Sequence, residues 1–98
     1  MIDVRQTEIF REWILALRDR RAIVRIGVRI GRLRQGNFGD VKSIGDGVSE
    51  LRIDYGPGYR VYFTRRGERI VLLLCGGDKG GQSHDIARAK ALATDLKG

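Results

Sequence analysis

The spacing of apolar residues changes from a helical to an alternating period near Gly36, and this change restricts the fold more than any other feature. Before it, apolar side chains recur every three or four residues, which places them on one face of a helix. After it, they recur every second residue, as in strands, between glycine-rich turns. Because 98 residues suffice for one core but not two, the sequence predicts a single α+β domain over residues 1–98.

Two helices are predicted in the first third of the chain. The first follows Thr7, whose hydroxyl can cap a helix, and ends near Asp19. The second covers residues 20–34, and together they are expected to pack as an αα-hairpin. Gly27 and Gly31 lie four residues apart in the second helix, so we expect them to let another helix approach closely.

Three or four strands of an antiparallel meander are predicted after the helices, the one at residues 41–44 being the optional strand, and one short strand precedes the helices. The predicted strands cover residues 2–5, 41–44, 48–55, 59–64 and 70–75. The last is apolar on both faces, which predicts a central strand covered on both sides. The glycine-rich residues 76–81 are predicted to form a loop, and Ser83 is predicted to cap a final helix.

Basic residues are concentrated in the second helix. The net charge is +7, and residues 18–34 hold seven arginines against one acidic residue. Four of these arginines share one helical face: Arg21, Arg25, Arg29 and Arg32 (the arginine stripe). Because such a face is typical of polyanion binding, we expect RNA contacts from the stripe and from Lys42. A merely solvated face is the alternative interpretation.

Strand alternation places Glu50, Arg52, Arg60 and Tyr62 on one face of the predicted sheet, with Arg60 and Tyr62 pointing outward. Lys79 follows the last strand and can reach the edge of this patch. Fixed cations of this kind stabilise charge that develops on a phosphate. In RNA the 2′-hydroxyl is an internal nucleophile, so a metal-free enzyme needs only positioning, a proton acceptor and a proton donor.

Structural interpretations of the same residues stay open. Glu50 and Arg52 can simply pair with neighbours, and Arg60 can pair with Asp54 across the hairpin. Tyr62 can be a half-buried strand aromatic. Each of these would leave the face without a catalytic role.

The remaining chemistry-bearing residues are few. His84, the sole histidine, is either a general base beside Lys79 or a surface residue at a helix start. Cys75 is predicted to be an inert core residue. One cysteine and one histidine argue against a disulfide framework or a closed zinc site, so no metal or cofactor is expected. With neither a membrane span nor a signal peptide in the sequence, a cytoplasmic protein is expected.

Two segments carry a resemblance to a known family. ELRIDYGPGYRVYF at residues 50–63 and IVLLLCGGDKGGQ at residues 70–82, within the order β-α-α-β-β-β-α, resemble the RelE/ParE toxin superfamily. The chain is most similar to its HigB-like, phage Gp49-related branch of addiction module killer proteins. The resemblance implies the toxin of a type II toxin–antitoxin pair, which cleaves mRNA at the ribosome and is covered by a helix-turn-helix antitoxin.

Site residues follow from the resemblance position by position. Arg60 matches the arginine that holds the scissile phosphate, Arg52 a basic residue on the preceding strand, and Lys79 the basic residue after the last strand. The position of a C-terminal catalytic tyrosine falls near Asp85, so His84 and Tyr62 are the candidates for proton transfer. The missing tyrosine keeps two alternatives open: a non-enzymatic ParE-like inhibitor of DNA gyrase, and an inactive basic binding module.

Overall fold

The computed structural model describes residues 1–96, which form a five-stranded sheet with helices on both faces. The elements are β1 (Asp3–Gln6), α1 (Glu8–Ala16), α2 (Arg20–Arg34), β2 (Val41–Gly45), β3 (Val48–Ile53), β4 (Tyr59–Arg66), β5 (Ile70–Asp78), a 3₁₀ turn (Lys79–Gly81) and α3 (Gln82–Asp95). The strand order is β1-β5-β4-β3-β2, with β1 parallel to β5 and all other pairs antiparallel. The predicted α+β class is confirmed. Among residues 1–96, no helix has the length and apolarity of a membrane span.

Side-chain caps define where the first two helices begin. The Thr7 hydroxyl accepts a hydrogen bond from the Phe10 amide at 3.0 Å, which confirms the predicted start of α1. The Asp19 carboxylate accepts from the amides of Arg21 and Ala22 and so caps α2. Helix α1 therefore ends at Ala16, before the predicted end near Asp19, because Asp19 belongs to the start of the next helix.

The sheet separates two cores. Helices α1 and α2 cover one face, and this core contains Phe10, Ile26, Leu33, Leu51, Ile53, Val61, Phe63, Val71 and Leu73. Helix α3 covers the other face, and this core contains Val48, Tyr62, Leu74, Cys75 and Ala89. Strand β5 contributes to both cores, so the prediction that it is covered on both sides is confirmed. The middle position in the sheet, however, belongs to β4.

The glycine-rich segment is not the predicted loop, because Gly76 and Gly77 extend β5. A Cβ atom at Gly76 would overlap the Trp13 ring of α1, and one at Gly77 would overlap the Asp85 carboxylate of α3. The two glycines therefore let helices on opposite faces approach the end of this strand. The 3₁₀ turn leads directly into α3, so Ser83 lies inside the first turn and does not cap the helix.

Gly27 and Gly31 do not serve as a close helix contact. A Cβ atom built at either position meets nothing within 4 Å. Helix α2 packs on the sheet through Ile26 and Leu33, which are fully buried, and its two glycines lie off that contact. The expectation of a close helix–helix approach is wrong at both positions.

Candidate functional site: an arginine cleft at the end of the sheet

An open cleft of about 560 Å³ lies where β3 ends, β4 begins and β5 passes into the 3₁₀ turn. Its lining includes three basic residues, two acidic residues and the β3–β4 turn: Arg52, Arg60, Lys79, Asp40, Asp54 and Gly56–Gly58. Arg52 and Arg60 are directly opposite each other in the register of β3 and β4. We call this feature the arginine cleft. It brings together Arg52 and Arg60, which strand alternation placed on one face of the sheet, and Lys79, which was expected to reach the edge of that patch.

The β3–β4 turn fixes Lys79 beside this cleft. Gly58 has a φ of +79°, a conformation that favours glycine. A Cβ atom there would lie 3.4 Å from the Lys79 Cβ and 3.8 Å from Nη1 of Arg60. The Lys79 amide also donates to the Pro57 carbonyl at 3.4 Å. The turn therefore lies against both cationic residues, and the Pro57 carbonyl positions the backbone of Lys79.

Arg60 lies deepest of the three cations. Its side chain is 14% exposed, and its Nε lies 3.8 Å from Oε1 of Glu50. Because this distance is too long for a hydrogen bond, Nε has no hydrogen-bond partner within residues 1–96. The ion-pair partner of Arg60 is Glu50, not Asp54. The guanidinium thus has a carboxylate on its inner side and its Nη1 next to the β3–β4 turn.

Glu50 is fully buried, although it was placed on the exposed face of the predicted sheet. Its Oε2 accepts hydrogen bonds from the Tyr62 hydroxyl at 2.9 Å and from Nε2 of Gln82 at 2.8 Å. Its Oε1 faces Arg60 without a hydrogen bond. A carboxylate removed from water requires such donors and a nearby cation. Gln82 was not identified from the sequence, because this contact exists only once α3 packs over β3.

Tyr62 does not point outward, because α3 covers its face of the sheet. The residue is fully buried and belongs to the core beneath α3. Burial and the hydrogen bond to Glu50 raise the pKa of its phenol. The structure therefore gives this hydroxyl the role of a donor to a buried carboxylate, away from the open cleft.

Arg52 lies at the exposed rim of the cleft, paired with Asp40. Its Nε and Nη2 donate to Oδ1 of Asp40 at 3.0 and 2.7 Å, and these bonds raise the pKa of Arg52. Asp40 was not identified from the sequence, since no periodic pattern marks a loop residue. Arg52 is thus paired with Asp40 and Arg60 with Glu50, so Lys79 is the cation of the cleft that has no salt bridge within residues 1–96.

His84 and Cys75 lie outside the cleft lining. His84 is exposed in the first turn of α3. Cys75 is 1% exposed, and burial raises the pKa of its thiol to about 11. The prediction that Cys75 is a core residue is confirmed, and the thiol stays protonated near neutral pH.

The arginine stripe is not uniform. Arg21, Arg25 and Arg32 are exposed, and Lys42 is exposed on β2. Arg29 instead donates to three backbone carbonyls, those of Phe38, Asp40 and Arg52. Desolvation is the main reason that the pKa of Arg29 is lowered. The expectation that Arg29 is available to RNA is corrected: its guanidinium ties the loop before β2 to β3.

Apolar side chains lie between the exposed arginines of α2. Val24 is 64% exposed and Val28 is 47% exposed. Arg25 stacks over the Tyr55 ring at 4.7 Å, and the Tyr55 hydroxyl donates to Asp19. The outer face of α2 is therefore both basic and apolar, which the arginine spacing alone did not indicate.

Residues 12–96 match the family model described as Phage derived protein Gp49-like. The chain belongs to this family. It is also similar to a protein of Haemophilus influenzae described as uncharacterized, with 50% identity over 95 residues, 97% of this chain and 96% of that protein. The family match extends from α1 through α3 and includes every residue of the arginine cleft. Membership confirms the Gp49-related part of the sequence resemblance, and the RelE/ParE and HigB-like part stays a prediction.

Proposed function

We propose that the protein is the toxin of a type II toxin–antitoxin pair and cleaves mRNA at the ribosome. The arginine cleft is the observation that carries this proposal: Arg60 backed by Glu50, with Lys79 beside it and Arg52 at the rim. A fixed guanidinium next to an ammonium suits a backbone phosphate. Membership of the Gp49-like family and the sequence resemblance to toxins support the same function.

In this proposal the substrate supplies the nucleophile. The 2′-hydroxyl gives up its proton to an acceptor, and its oxygen attacks the adjacent phosphorus. The bond to the 5′-oxygen breaks, that oxygen takes up a proton from a donor, and the products are a 2′,3′-cyclic phosphate and a 5′-hydroxyl. Arg60 and Lys79 stabilise charge on the phosphate, and Arg52 orients the RNA. Because Tyr62 is buried, His84 is the remaining candidate for proton transfer. No metal takes part in the proposed step.

Two partners extend the proposal beyond the cleft. Arg21, Arg25, Arg32 and Lys42 contact ribosomal RNA phosphates, and such binding weakens as salt concentration rises. A helix-turn-helix antitoxin encoded with the toxin covers the basic surface in the inactive toxin–antitoxin complex. An acidic antitoxin segment and RNA therefore compete for the same arginines.

A second function is favoured by one observation. Val24 and Val28 are exposed among the arginines of α2. A protein partner would bury these apolar side chains, whereas binding of RNA phosphates requires only the arginines. This surface suits a ParE-like inhibitor that binds DNA gyrase through its helices. A basic binding module without toxicity is the third possibility.

Induced expression separates these functions. We expect wild-type protein to stop translation and leave cleaved transcripts, whereas gyrase inhibition gives DNA-damage signalling with intact transcripts. Arg60→Ala is expected to abolish growth arrest. It is also expected to cost stability, because the buried Glu50 carboxylate loses its cation, so the test uses variant protein that is shown to be folded. Arg69→Ala is the control, because Arg69 is an exposed arginine before β5, at the opposite end of that strand from the cleft. Full toxicity of Arg60→Ala would refute the assigned site.

A further inference from the structure

We infer that Glu50 is a positioning residue for Arg60. The buried carboxylate holds the guanidinium at the floor of the arginine cleft, in the orientation that receives a phosphate. The inference rests on the proposed function, since it names the device that prepares the same site for RNA. Glu50 itself does not line the cleft.

The two oxygens of Glu50 have different surroundings. Oε2 is fixed by two donors from different elements, the Tyr62 hydroxyl on β4 and the Gln82 amide on α3. Oε1 is buried, has no hydrogen bond within residues 1–96, and lies 3.8 Å from the equally buried Nε of Arg60. The carboxylate is thus held by Oε2 and directs its remaining charge at Arg60.

The nitrogen atoms of the Arg60 guanidinium face different surroundings. Nε faces Glu50, while Nη1 is next to the β3–β4 turn at Gly58. A phosphate entering the cleft therefore meets the terminal amino groups, which can bind two of its oxygens at once. Because no hydrogen bond joins Arg60 to Glu50, the ion pair sets the position of the guanidinium without using the donors that bind phosphate.

Removing the Glu50 charge is expected to weaken RNA binding, the opposite of what charge alone predicts. Neutralising an acidic residue near a cationic cleft would, by charge alone, strengthen anion binding. However, a guanidinium that is 14% exposed and has lost its counter-charge is expected to leave the floor of the cleft for water. We expect this loss of position to outweigh the gain in charge, so Glu50→Gln binds RNA more weakly.

The first measurement is the affinity of the full chain for a short 2′-O-methyl RNA, which cannot be cleaved, by fluorescence anisotropy. Glu50→Gln is expected to bind about tenfold more weakly, the factor that corresponds to losing one well-placed charged contact. Glu68→Gln is the matched control, since it makes the same charge change at an exposed residue in the β4–β5 turn. It is expected to bind as tightly as wild type. Gln82→Ala, which removes one donor from Oε2, is expected to weaken binding in the same direction and keeps the test valid if Glu50→Gln fails to fold.

The second measurement does not depend on RNA. In ¹⁵N spectra we expect a slowly exchanging Nε–H signal from Arg60 in the wild-type protein and its loss in Glu50→Gln. An unchanged Arg60 signal in Glu50→Gln would overturn the positioning role. The role would also be overturned if folded Glu50→Gln and Gln82→Ala bound RNA at least as tightly as Glu68→Gln. A wild-type protein that binds RNA no better than Arg60→Ala would instead contradict the proposed function, and the Arg60 signal would still decide the positioning role.

Discussion

Substitution of Arg29 tests whether the arginine stripe is a uniform binding surface or contains a structural tether. Arg29→Met keeps much of the aliphatic stem and removes the guanidinium that donates to the carbonyls of Phe38, Asp40 and Arg52. We expect this variant to lose stability, since the loop before β2 would no longer be tied to β3. Arg25→Met is the matched control. The Arg25 side chain is exposed and stacks over the Tyr55 ring, and the three carbonyls in question are bound by Arg29.

The magnitude follows from the three lost hydrogen bonds. A hydrogen bond to a charged group contributes about 1.5–3 kcal/mol, but carbonyls near the surface can bind water instead. Because Asp40 is exposed and the Arg52 carbonyl bond is partly buried, we expect a net loss of about 2–3 kcal/mol for Arg29→Met. The cation–π contact of Arg25 is worth about 0.5–1 kcal/mol at an exposed site.

Thermal and urea unfolding of both variants measure this difference. For a chain of this size, the expected loss lowers the Tm of Arg29→Met by about 10 °C or more, and that of Arg25→Met by only a few degrees. Equal melting temperatures for the two variants would refute the tether. A loss of ribosome association would then be assigned to direct RNA contact only for variants of Arg21, Arg25 and Arg32. A variant of Arg29 would also disturb the rim of the cleft, because Arg29 binds the Arg52 carbonyl.

Three further predictions concern packing and burial. Gly76→Ala is expected to destabilise the protein by at least about 1–3 kcal/mol, because the new methyl group overlaps Trp13. Gly27→Ala is expected to stabilise α2 by about 1 kcal/mol, because the site is open and alanine is the better helix former; urea unfolding that gives both changes the same sign would contradict the packing described. Cys75 is expected to resist alkylation near pH 8 until the protein unfolds. Burial raises the pKa of this thiol from 9.0 to about 11, so its contribution to stability is present below pH 9 and is lost between pH 9 and 11. The free energy of unfolding is therefore expected to depend less on pH in that range in Cys75→Ala than in the wild type.

The element order was predictable because local signals agreed with tertiary packing. The change of period at Gly36 separated helices from strands, and the Thr7 cap began α1 as expected. The errors occurred where distant elements decide. Gly76 and Gly77 lie in β5 because helices pack closely on both sides of them, and a glycine run alone carries no sign of such neighbours.

The site was predictable only in part, for the same reason. Period-two counting placed Arg52 and Arg60 on one face, and their opposed register brings them into one cleft. Alternation does not indicate which parts of that face a later helix covers. Helix α3 buries Glu50 and Tyr62, and this conversion of an open patch into a cleft with a buried carboxylate was not visible from strand spacing.

The most direct test of the proposed function is the chemistry of RNA ends produced on ribosome-bound mRNA. Purified wild-type protein added to a translation reaction is expected to yield fragments with 2′,3′-cyclic phosphate and 5′-hydroxyl ends. Arg60→Ala is expected to yield none, and Arg69→Ala to yield wild-type amounts. Intact mRNA with wild-type protein, or the same fragments with folded Arg60→Ala, would contradict an RNA-cleaving site centred on Arg60.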